Sequence, residues 1–181
     1  VKPLYFFALG ILLVVLRPTD LEWDIYPNPL GWVFVLLGLY GLGRARPVRW
    51  ARPLALTAVV ALVVDSVLFW PAAAAWLEDA EPALGWAANL PRFGFFALLC
   101  AELSRAAVSA ADRRAGAWFS WTGVLMILVM IAPVLVFGAG WSDFGPAAEA
   151  AAQVSQLLLL VLCAVYGSRV WAGAPEPAPS E

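Results

Sequence analysis

Charged and polar segments divide the chain into six apolar runs, and this division restricts the possible fold more than any other feature. The runs cover residues 3–16, 29–43, 54–77, 86–103, 117–140 and 150–172. A helix needs about 20 apolar residues to cross the hydrocarbon core of a bilayer. The last four runs reach or approach that length. The first two are shorter, and Lys2 and Arg17 flanking the first can snorkel while the bilayer thins locally. Composition explains why lipid must be the solvent. Of 181 residues 63% are hydrophobic and 13% charged, and mean hydropathy is +0.82. A soluble domain of this size leaves much of its surface in water and is nearer half apolar. The expected fold is an all-α polytopic transmembrane helical bundle, six spans forming three hairpins. It makes one domain over residues 1–172, with a Pro-rich disordered cytoplasmic tail over 173–181.

The loops set an orientation. Arg44, Arg46, Arg49 and Arg52 separate the second and third runs, and Arg105, Arg113 and Arg114 separate the fourth and fifth. With Lys2 and Arg169 these place nine of the eleven basic residues on one side. Basic residues concentrate in cytoplasmic loops, so both termini are expected inside, N-in/C-in. The opposite loops carry Asp20, Glu22, Asp24, Glu78, Asp79, Glu81, Asp143 and Glu149. Tryptophans fit the two interfacial belts: Trp23, Trp32, Trp76, Trp86 and Trp141 on the outer side, and Trp50, Trp118, Trp121 and Trp171 on the inner side. Pro71 marks a kink or early stop in the third run, which would put Trp70 in the outer belt too. Lys2 followed by apolar residues 4–16 has the outline of a signal peptide. Arg17-Pro18-Thr19-Asp20 replaces the small residues of a cleavage site, so the run reads as a retained first span. Arg outnumbers Lys ten to one and Ala is abundant, the composition of a high-GC bacterial gene. The expected location is the bacterial cytoplasmic (inner) membrane.

Most catalytic menus are absent. There is no histidine, the commonest general base and metal ligand. Cys100 and Cys163 lie singly in apolar runs and read as buried small hydrophobes. No G-x-S-x-G, P-loop or zinc motif occurs, and Ser66 has no usual base nearby. No catalytic residue, metal site or cofactor is assigned, and no basic surface suited to nucleic acid is evident. Asp20, Glu22 and Asp24 lack the glycine of a calcium loop and read as a solvated turn.

One place departs from what lipid requires. Asp65 stands inside the third run, where an ionised carboxylate facing lipid costs about 2.5–3.5 kcal/mol, so it should face protein or water. Arg92, about six residues into the fourth run, is its natural partner, with Asn89 one turn earlier on the same face. Gln153 and Gln156, after Glu149, form a polar stripe at i, i+4, i+7 that can complete a polar site in the outer half of the bundle. Such a site can be a gate, proton site or ligand anchor, or simply an ion pair and amide bonds that lock helices. Gly31, Gly38 and Gly41 permit close helix contact, but not at G-x-x-x-G spacing. Glu102 and Arg105 read as a snorkelling interfacial pair.

The stretch Asp24-Ile25-Tyr26-Pro27-Asn28-Pro29-Leu30-Gly31-Trp32 has the form D-[IL]-x-P-[DN]-x-x-G-[WY] and opens the second run. It resembles a stretch in small bacterial multispanning proteins of unassigned function. The resemblance covers about twenty residues and implies an inner-membrane protein and no activity. Asn28 is placed to cap the helix and Pro29 suits its first turn. The expected role is a partner-binding accessory or scaffold subunit, whose partners are the lipid bilayer and a membrane protein or a second copy. The alternative is a small transporter using Asp65 and Arg92, and an intramembrane lipid-acting enzyme comes third.

Overall fold

The computed structural model describes residues 2–15 and 28–175. Leu16, Arg17, Trp23, the acidic trio Asp20, Glu22 and Asp24, the start of the D-I-Y-P-N-P-L-G-W stretch, and residues 176–181 lie outside them. The described residues contain no strand. Seven α-helices follow one another: α1 (Pro3–Val15), α2 (Asn28–Ala45), α3 (Ala51–Leu68), α4 (Pro71–Asp79), α5 (Pro82–Ser109), α6 (Arg113–Pro133) and α7 (Gly145–Tyr166). A π-helical turn, Val134–Gly138, prolongs α6.

Helices α1, α2, α3, α5, α6 and α7 each pack on the next, and α1 packs on α7, which closes a ring; α4 lies against α3 and α5. The ring packs around a largely apolar core in which a few polar side chains are buried, and its outer face is apolar. Leu56, Val63 and Val67 on α3, Leu128 on α6 and Val165 on α7 are each more than half exposed, whereas Asp65, Arg92, Glu102, Thr122, Ser155 and Gln156 are buried. Water would reverse that distribution; lipid favours it. Among the described residues, four segments, Ala51–Leu68, Pro82–Ser109, Arg113–Gly138 and Gly145–Tyr166, are long and apolar enough to cross a membrane. The chain is a helical membrane protein.

Glycine brings α1 and α2 together. A Cβ on Gly10 would lie 2.6 Å from the Gly31 carbonyl oxygen, and one on Gly31 would lie 2.7 Å from that of Gly10. The two backbones touch because neither residue carries a side chain.

Several boundaries differ from the expected ones. The third run, 54–77, is two helices. Proline lacks an N–H and disfavours helical backbone in the residue before it, and Trp70 is accordingly extended (φ −78°, ψ 125°), with Pro71 opening α4. The sixth run stops at Tyr166, short of 172, and a 3-10 turn at Val170–Ala172 follows. The tail is packed at its start: Ala172 and Ala174 are buried, and Gly173 (φ 88°) fits between Pro3 and Ala45. Two tryptophans leave the belts. Trp32 is fully buried, and Trp171 is half-buried against Phe119 and Tyr166. Each indole N–H has found an acidic acceptor within the protein, Asp65 and Asp112 respectively.

The turn between α5 and α6 ends the helix with reciprocal bonds: Asp112 N donates to Ala107 O (2.9 Å) and Ala111 N to Val108 O (3.0 Å). This closure needs left-handed backbone at residue 111, and Ala111 adopts it at φ 62°. Left-handed backbone costs a non-glycine residue about 1–2 kcal/mol, and a glycine gives back part of that through its freer unfolded chain. Ala111→Gly is therefore expected to raise stability by about 0.5 kcal/mol in a denaturant titration. A loss of stability would show that the turn gains nothing from glycine.

Candidate functional site

Helix α3 buries a narrow stripe of Leu54, Ala58, Ala61 and Asp65, spaced at four, three and four residues. The small residues let α2 and α5 approach, and the carboxylate ends the stripe between them. Arg92 Nη2 lies 3.0 Å from both Asp65 oxygens, and Trp32 Nε1 donates to Asp65 Oδ2 at 2.6 Å. Both charged side chains are less than a tenth exposed. The three residues thus join α2, α3 and α5 by charge-assisted hydrogen bonds, which burial strengthens. Aromatic packing holds the indole in place: Trp32 stacks on Phe96 at 6.0 Å and meets Phe95 edge-on at 5.5 Å.

Asp65 and Arg92 line a cavity of about 800 Å³, as do Asn89, Gln153 and Gln156. Within it Asn89 Nδ2 donates to Gly85 O (2.8 Å), Gln153 is exposed and Gln156 is buried. Glu149 and Glu78 lie along its rim, and Ala74 and Ala75 of α4 form part of its wall. One turn deeper, Ile11, Val35, Ala61, Phe96 and Leu159 are 0–2% exposed, and none lines the cavity. Packed side chains therefore floor the cavity. The five residues singled out from sequence share this place. Trp32 was missed as a site residue; its signal was position, one turn after Asn28 on the face that the carboxylate needs.

A second polar cluster lies at the opposite end. Glu102 is fully buried and does not snorkel: Arg105 Nη2 donates to its Oε1 at 2.6 Å and Arg46 Nη1 to the same oxygen at 3.1 Å. Arg46 arrives from the α2–α3 link, a partner that spacing along α5 could not reveal. Burial lowers the pKa of the Arg46 guanidinium, with the Glu102 carboxylate opposing that shift. Lys2, Arg44, Arg49, Arg52, Arg113, Arg114 and Arg169 lie at this same end, which the contacts of Pro3, Ala45 and Gly173 and the Asp112–Trp171 bond bring together. Removing the carboxylate leaves the Arg46 side chain, 16% exposed, without this counter-charge, while Arg105, 41% exposed, can turn to solvent. Glu102→Ala is expected to lower stability by about 1–3 kcal/mol, measured by thermal unfolding in detergent. An unchanged transition would mean that the cluster does not hold the α2–α3 link.

Both cysteines are free and buried. No group of three or more His, Cys, Asp or Glu among the described residues is placed to hold a metal ion. Fold and site together define a helical membrane protein with a buried ion pair on the wall of a cavity. Comparison with protein-family models, with curated proteins and with solved structures finds no match.

Proposed function

We propose that this chain is a non-catalytic accessory protein of the bacterial inner membrane that binds a ligand or a segment of a partner protein in its outer cavity. In this reading six helices span the bilayer, N-in/C-in, with the arginine-rich end in the cytoplasm and the cavity open to the opposite side. One observation carries it: the buried polar residues wall a cavity instead of packing solid, and the layer beneath is fully buried. Such a shape suits holding better than conducting. A pocket of this volume is within the range used for small ligands.

A second reading, a small transporter, is favoured by the position of Asp65 and Arg92 on the cavity wall, since charged residues within spans often mark ion or substrate paths. Liposomes decide between the two. Under the accessory reading, vesicles with the wild-type protein hold a proton or solute gradient as long as empty vesicles do. Protein-dependent dissipation, abolished by Asp65→Asn at unchanged thermal stability, would establish transport instead.

A further inference from the structure

The charges and hydrogen-bonding groups of the cavity indicate what it takes. Among the described residues, four charged ones line it. Asp65 and Arg92 neutralise each other through their 3.0 Å contacts. That leaves two carboxylates, Glu78 and Glu149, both exposed on the cavity's rim. Gln156 adds an independent observation. It borders the same cavity and is only 4% exposed. Its Nε2 donates to Ala152 O at 3.1 Å, and its Oε1 has no hydrogen-bond partner. The orientation of this amide follows from chemistry: only the –NH₂ can donate to a carbonyl, so the atom left over is an acceptor. A buried acceptor without a donor is costly, and a bound N–H group removes that cost. Two carboxylates and an unmatched amide oxygen call for a ligand that is positively charged and carries N–H donors.

We propose that the cavity binds an ammonium group bearing N–H donors, with Gln156 Oε1 as its acceptor and Glu149 and Glu78 supplying the attracting charge. This rests on the reading of the cavity as a binding site and assigns the chemical class of what it binds. An amine in solution and the headgroup of an aminophospholipid share that chemistry.

Thiol labelling tests the two levels separately. Ala74 lines the cavity from α4, a helix without a buried residue, so Ala74→Cys places a reporter there, while Cys100 and Cys163 are buried. The protein is held in phosphatidylcholine nanodiscs, whose quaternary headgroup has no N–H, and labelled with a small water-soluble maleimide. Labelling is expected, and ethylammonium is expected to slow it at least tenfold, whereas tetramethylammonium and acetate leave the rate unchanged. Adding Gln156→Leu should keep the unprotected rate and abolish the protection. Protection by phosphatidylethanolamine nanodiscs without added amine assigns the lipid headgroup as the source; protection by ethylammonium alone assigns a soluble amine. Labelling that neither ethylammonium nor phosphatidylethanolamine slows, or protection that survives Gln156→Leu, overturns the ammonium assignment and leaves the binding cavity standing. If Ala74→Cys is not labelled at all, the cavity is closed and both readings fall.

Discussion

Replacing Asp65 with alanine is expected to lower the stability of the bundle by about 3–5 kcal/mol, because it removes the buried carboxylate that Arg92 and Trp32 both bond. Arg92 is 7% exposed and contacts both carboxylate oxygens of Asp65. Breaking a buried pair costs more than the attraction it loses, because its charges have already left water. Removing both partners is therefore gentler: Asp65→Leu with Arg92→Met should recover most of the loss, since buried pairs are often replaced by apolar residues at little cost. Trp32→Phe removes one donor to a charged acceptor and should cost about 1.5–3 kcal/mol. Reversible unfolding in mixed micelles measures all three. A single Asp65→Ala variant within 1 kcal/mol of wild type would show that the pair does not lock α3 to α5. Because Trp32 and Arg92 share one carboxylate, their losses should not add, and a double-mutant cycle reads that coupling directly.

The second large effect lies between α1 and α2. Gly31→Leu is expected to cost about 3 kcal/mol or to prevent stable insertion of α1, since a Cβ there already meets the Gly10 carbonyl oxygen at 2.7 Å and Val14 Cγ2 at the same distance. Backbone cannot step aside as the tip of a side chain can. Gly43→Leu is the control, because a Cβ at Gly43 has nothing within 4 Å. That substitution should be neutral or slightly stabilising by helix propensity, within about 1 kcal/mol. Protease protection of α1 in membrane vesicles, alongside thermal unfolding, reports both outcomes. Equal behaviour of the two variants would mean that α1 does not depend on this contact.

Much of the helical layout was legible because it follows from local rules. Hydropathy marks where lipid is tolerated, and proline marks where a helix cannot continue, as at Pro71. Helix ends were less legible, because α5 starts at Pro82 and runs to Ser109 on residues that hydropathy alone does not claim. Asp65 and Arg92 stood out since each is expensive in lipid. Trp32 and Glu102 did not, because each has an innocent explanation at an interface. A tryptophan near the end of a span reads as a belt residue until a carboxylate from another helix is found beside it. Glu102 reads as a local pair with Arg105 until Arg46, 56 residues earlier, reaches it.

The amino-acid sequence by itself determined the solvent of this protein, the helical character of its runs and the two charges, Asp65 and Arg92, that cannot face lipid. These depend on each residue's transfer energy and on neighbours a few positions away. Only the tertiary structure decided that α1 closes the ring on α7, that Trp32 turns inward to Asp65, and that Asp65, Arg92 and Gln156 border a cavity instead of packing solid. Those outcomes depend on which helix faces come together, and a face's partner is set by shape and hydrogen bonding across distant segments, which no local pattern encodes.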